Sequence, residues 1–133
     1  VAEAFFDTDV LLYLLSDDAA KADRAEGLLG AGGVISVQVL NEFASVARRK
    51  LDTPWPAVHD ILGILRAALR VEALDVQTHE KALELAERHR LGIYDAQILA
   101  AARLAGCDLV YSEDMQHGLK IEGALQIRDP FKA

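Results

Sequence analysis

Short apolar runs alternate along this chain with longer stretches in which apolar residues return every three or four positions, a pattern that predicts strands and helices in turn. Ala4 to Phe6, Val34-Ile35, Val71 to Leu74, Leu109 to Tyr111 and Leu125 to Ile127 read as short strands. Between them, Val10 to Leu15 predicts an apolar helical turn, and Lys21 to Leu29 an amphipathic helix stopped by Gly30, Gly32 and Gly33. Val37 to Leu51 predicts a helix with Leu40, Phe43, Ala47 and Leu51 on one face. Pro54 and Pro56 open the next, since proline is tolerated in a first helical turn, and it runs to about Leu69. Thr78 is the candidate cap of a helix from Glu80 to Arg90 that turns Ala82, Leu83 and Ala86 inward. The last helix opens at Asp95, repeats Ile98, Leu99, Ala102 and Ala105, and ends in a turn at Gly106-Cys107. Short strands alternating with helices imply an α/β fold, its parallel sheet covered on both faces.

The bulk numbers narrow the function without naming it. With 133 residues and no Pro/Gly/Ser-rich linker, the chain reads as a single domain over 1–133, and its 52% hydrophobic content is enough for a core. No apolar run approaches the roughly 18 residues a membrane span needs. The opening VAEAFFD lacks the basic region of a signal peptide. A lone Cys107 excludes an internal disulfide and reads as a small buried packer, so a cytoplasmic location is expected. A net charge of −7 argues against nonspecific attraction to a phosphate backbone, yet leaves nucleic acid open as a substrate, because a divalent ion reverses the local charge. Arg48-Arg49-Lys50 and Arg88-His89-Arg90 are the basic clusters available to hold such a backbone. Trp55, between two prolines, is expected to pack rather than stack on a base. His117, three residues from Asp114, is the one histidine singled out for a test.

Four acids share one placement relative to their elements. Asp7 follows the first strand, Glu42 lies in the first turns of the helix after the second, Asp95 begins its helix, and Asp114 follows the fourth strand. Parallel strands bring all four to the same sheet edge, where open α/β sheets bind ligands. Two carboxylates about 5 Å apart repel by roughly 3 kcal/mol at an effective dielectric near 20. Such a cluster must hold raised, coupled pKa values or a cation. An all-oxygen donor set suits a hard ion, Mg²⁺ or Mn²⁺, and phosphodiester hydrolysis is the reaction it serves best. Each acid also has an ordinary use, in a cap, a turn or a solvated helix face; their coincidence favours the site.

With those positions placed, the chain resembles a PIN domain, and within that family a VapC-like toxin ribonuclease of a toxin–antitoxin system. The matching pieces are FFDTDVLLYLL around Asp7, ISVQVLNEF around Glu42, GIYDAQILAAA around Asp95, LVYSEDMQHG around Asp114, and the closing QIRDPF. The resemblance implies a three-layer α/β/α sandwich, Mg²⁺- or Mn²⁺-dependent cleavage of RNA, a homodimer, and inhibition by a cognate antitoxin protein lying across the acidic groove. By match of motif Asp7, Glu42, Asp95 and Asp114 would be the catalytic acids, with Asp7, Asp95 and Asp114 on the metal and Thr8 and Ser112 as supporting hydroxyls. Two positions depart from many relatives: Asp9 stands where they carry Asn, adding a possible negative charge, and Gln116 where they carry a further Asp. One tightly held ion is therefore expected.

Two other readings fit parts of the pattern. AFFDTDVL superficially matches the Asp-x-Asp nucleophile of an Asp-based phosphatase, and Asp75 could be the accepting acid of a receiver-like domain, but no suitably placed lysine follows a later strand. A non-catalytic module docking a basic peptide in its acidic groove would show no metal dependence.

Overall fold

In the computed structural model, which describes residues 3–132, strand β1 (Ala4–Phe6) lies inside the sheet between β2 (Val34–Ser36) and β4 (Leu109–Tyr111), parallel to both. Phe5 pairs with Val34 on one side and Val110 on the other. β3 (Arg70–Glu72) extends the sheet beyond β2, and β6 (Leu125–Arg128) extends it beyond β4, both parallel. A two-residue strand, β5 (Lys120–Ile121), closes that edge antiparallel to β6, giving the order β3-β2-β1-β4-β6-β5.

Successive strand residues point to opposite faces, and Phe5 and Phe6 are 0% and 1% exposed, so both faces of the sheet are covered. The covering helices are α1 (Thr8–Leu12), continued by a 3₁₀ turn Tyr13–Leu15, α2 (Ala19–Gly30), α3 (Val37–Arg49), α4 (Trp55–Ala68), α5 (Val76–His89) and α6 (Ile93–Leu104). The α/β architecture with a mostly parallel central sheet is the one expected. Cys107 is buried in the core, and burial pushes its thiol up to about 11. No helix among the described residues is long and apolar enough to cross a membrane.

Several local expectations are corrected. β3 runs Arg70–Glu72, shifted toward the N-terminus from Val71 to Leu74. β5 is additional; two residues carry no readable period. Asp75, not Thr78, caps α5, accepting from the Thr78 backbone N–H at 2.8 Å and the Thr78 hydroxyl at 2.9 Å. Leu83 is 50% exposed, because the inward stripe of α5 is Thr78, Ala82 and Leu85 at helical spacing. Leu51 is likewise 47% exposed, since α3 ends at Arg49 and the chain leaves the core there. α6 opens at Ile93, so Asp95 is its third residue rather than its first.

Glu122, at φ +53°, ties the β5–β6 hairpin to the α5–α6 layer. Its carboxylate accepts from Lys81 at 2.7 Å and from Arg103 at 3.2 Å.

Gly33, which enters β2 at φ +148°, is the glycine on which the site depends. A Cβ there would meet the Ala4 carbonyl oxygen at 2.6 Å and the Phe6 ring at 2.7 Å, on the strand that carries Asp7. Gly33→Ala is expected to lower stability by about 1–3 kcal/mol, the usual cost of overpacking. Chemical denaturation should read the loss as a lower midpoint at unchanged slope; an unshifted midpoint would contradict it.

Candidate active site

β1, β2 and β4 end together, and the residues just beyond them build the site from neutral donors and acids. Asp7 caps α1 and is 9% exposed. Its Oδ1 accepts from the Thr8 N–H at 2.8 Å and its Oδ2 from the Ser112 hydroxyl at 2.9 Å. The Thr8 hydroxyl in turn donates to Glu42 Oε1 at 3.4 Å. Gln38, one turn before Glu42 on α3, donates to the same oxygen at 3.0 Å and to the Tyr94 carbonyl, beside Asp95, at 3.1 Å. Asp9 Oδ2 accepts from the backbone N–H groups of Glu113 at 3.1 Å and Asp114 at 2.9 Å. Asp7 is thus one bridging residue from Glu42, and Glu42 one from the backbone that carries Asp95. Asp9, two residues from Asp7, is bonded directly to the loop that bears Asp114.

Electrostatics ties the same five acids together. Burial pushes the Asp7 carboxyl up to about 6; the bonds from Ser112 and Thr8 oppose that rise, while the charges of Asp95 and Glu42 add to it. Asp9 rises further, to about 8, through burial and then the charge of Asp7. Asp95 is raised by burial and by Asp114. Asp7 finds an N–H or O–H donor for each oxygen, whereas Asp9 has donors on Oδ2 alone and its carboxyl also faces that of Asp114.

Among the described residues, no three His, Cys, Asp or Glu side chains converge closely enough to grip a metal ion as they stand. The donor set nevertheless fits Mg²⁺ or Mn²⁺. Every side chain in it offers oxygen, and Asp9 Oδ1 is buried without a hydrogen-bond partner. Magnesium keeps most of its waters and needs only one or two carboxylates directly, so a closed cage is not required.

The loop after β4 is braced from outside. Glu113 accepts from the Tyr13 hydroxyl at 2.6 Å and from Lys21 at 2.5 Å, and the ring of Phe131 meets Tyr13 edge-on at 4.8 Å. Ser112 also accepts from the Met115 N–H at 3.2 Å, so its hydroxyl spans Asp7 and the loop. A cavity of about 560 Å³ opens beside Asp9 and Asp114, walled by Leu12, Val46, Lys50 and Leu51.

Not every candidate joins the site. Gln116 is exposed, and its backbone carbonyl accepts from the Leu119 N–H at 3.2 Å. His117 Nδ1 accepts from the Asp129 N–H at 2.9 Å, which makes it a fastening for the C-terminal segment rather than a site residue. Trp55 is 54% exposed rather than packed, with the Arg48 guanidinium 4.7 Å from its ring centre. Asp9 is more than an added negative charge, since it fastens the loop that bears Asp114. Gln38 and Gln97 were not legible in the sequence, because a glutamine on a helix carries no signal until its partners are known.

The PIN domain family matches residues 4–118 of the chain. Comparison with curated proteins finds no match. Among solved structures, the chain is similar to the VapC20 toxin of Mycobacterium tuberculosis, described as cleaving the sarcin–ricin loop, at 23% identity and a TM-score of 0.67, covering 84% of this chain and 89% of that one. A toxin–antitoxin complex from Klebsiella pneumoniae matches at 20% identity and a TM-score of 0.72, over 98% and 99% of the two chains. DNA-bound VapBC from Salmonella typhimurium matches at 19% identity and a TM-score of 0.71, again over 98% and 99%. At these identities the likeness is one of fold. The family match spans most of the chain, including all five acids, and on that ground the chain belongs to the PIN domain family.

Proposed function

We propose that this chain is a divalent-metal-dependent endoribonuclease and the toxin half of a toxin–antitoxin pair, acting as one domain in the cytoplasm. The observation that carries the reading is the linkage of Asp7, Asp9, Glu42, Asp95 and Asp114 around one end of the sheet. PIN membership supports a nuclease, and the RNA-cleaving neighbour supports RNA as its substrate. The neighbours solved as toxin–antitoxin assemblies support an antitoxin partner.

In this reading Asp7, Asp95 and Asp114 would hold the Mg²⁺ or Mn²⁺ ion. When bound, such an ion stabilises charge building on the phosphate. Thr8 and Ser112 fix the Asp7 carboxylate in one orientation. Asp9 holds the Asp114 loop at the sheet edge. Among the described residues the hydrogen bonds to Glu42 fall on Oε1, leaving Oε2 to accept a proton from the attacking water. A homodimer is supported by apolar side chains left exposed on α5 and α6, Val76 (71%), Leu83 (50%) and Tyr94 (70%).

The test is RNA cleavage with and without Mg²⁺, paired with melting. Mg²⁺ is expected to activate cleavage and to raise Tm more for the wild type than for Asp95→Asn, by mass action on the folded state. Equal Tm shifts would put the ion elsewhere. Metal-independent binding of a basic peptide without cleavage would favour the docking module instead.

A further inference from the structure

Gln38 is 5% exposed and sits at the crossing of α3 and α6. Three of the four hydrogen bonds its amide can make are in place: Nε2 donates to Glu42 Oε1 at 3.0 Å and to the Tyr94 carbonyl at 3.1 Å, while Oε1 accepts from Gln97 Nε2 at 2.7 Å. The orientation of this amide is chemically determined. A backbone carbonyl only accepts, and so does an ionised carboxylate, so the group facing both must be the NH₂. Gln97 then completes the arrangement by donating to the remaining oxygen.

We propose that Gln38 is the positioning residue of Glu42, its amide locked by Gln97 so that one N–H holds Glu42 Oε1 and the other holds the backbone beside Asp95. The inference rests on the ribonuclease reading for what Glu42 does, and on geometry alone for how it is held. Glu42 is anchored by one oxygen, so its other oxygen keeps a fixed direction. The same amide sets the spacing between two acids that belong to different helices. A rotation of either helix would therefore move Glu42 relative to Asp95.

The test removes the lock. In Gln97→Glu, position 97 can only accept, so its carboxylate faces Gln38 Oε1, acceptor against acceptor, and the amide is pushed off its bonds to Glu42 and Tyr94. In Gln97→Met the donor is lost without that repulsion. At saturating Mg²⁺, kcat for RNA cleavage is expected to fall about tenfold or more in Gln97→Glu, in line with the loss of an orienting partner, with KM within about twofold. Gln97→Met should fall less. The second readout needs no activity: side-chain amide NMR should place the Gln38 NH₂ protons near Tyr94 and Glu42 in the wild type, and show those contacts weakened and NH₂ exchange faster in Gln97→Glu. An unchanged NMR pattern in that variant overturns the proposal, as does a kcat that drops only in proportion to the folded fraction. If the wild type cleaves no RNA, the functional reading fails while the NMR comparison still decides how Gln38 is held.

Discussion

Asp95→Asn is expected to lower RNA cleavage by about 100- to 1000-fold, the scale on which a charged group at a reacting centre is missed. The metal-free protein should melt no lower than the wild type. Asp95 is the third residue of α6, where a negative charge gains about 0.3–1 kcal/mol from the helix dipole. Its raised pKa shows that burial and the charge of Asp114 outweigh that gain in the ionised state. Asparagine keeps the shape and removes the repulsion, so the fold is spared while the proposed cation would lose a ligand. Cleavage by purified Asp95→Asn at the wild-type rate would falsify the assignment of Asp95.

Metal-free stability is expected to fall as pH rises from about 4 to about 8. Asp9 binds its proton more tightly folded than unfolded, with a pKa of about 8 against the ordinary carboxylate value of 3.8. As pH climbs, the unfolded chain releases this proton first, so the unfolded state gains until Asp9 itself ionises near pH 8. At pH 7 the linkage amounts to roughly 4 kcal/mol relative to pH 4. Asp7, raised to about 6, adds in the same direction and levels off earlier. Asp9→Asn keeps a carbonyl oxygen for the amides of Glu113 and Asp114, so the loop should persist while the decline between about pH 6 and 8 flattens. Urea unfolding of the metal-free protein at several pH values measures both. A wild-type profile that rises toward pH 8 would reverse the sign and exclude a proton held at Asp9.

The sheet and the positions of Asp7, Glu42, Asp95 and Asp114 were legible because apolar runs and the acids after them are local features. What escaped was decided by neighbours. Leu51 and Leu83 have the composition of core residues, but where α3 ends and which stripe of α5 faces inward are settled by packing. Asp75 and Thr78 are both good capping residues, and Asp75 takes the role with Thr78 as its donor. Asp9 was read as an added charge; its hold on the loop 104 and 105 residues away is a tertiary fact. The Gln38–Gln97 contact spans 59 residues, beyond any periodicity.

The strand order has a bearing on synthesis. β1, made first, waits at the middle of the sheet for β4 to pair with it, and Asp114 lies just past β4. A chain still emerging from the ribosome therefore has no complete set of acids until the residues just past β4 are translated. Whatever chemistry the set performs is withheld from the machinery making it until β4 can dock.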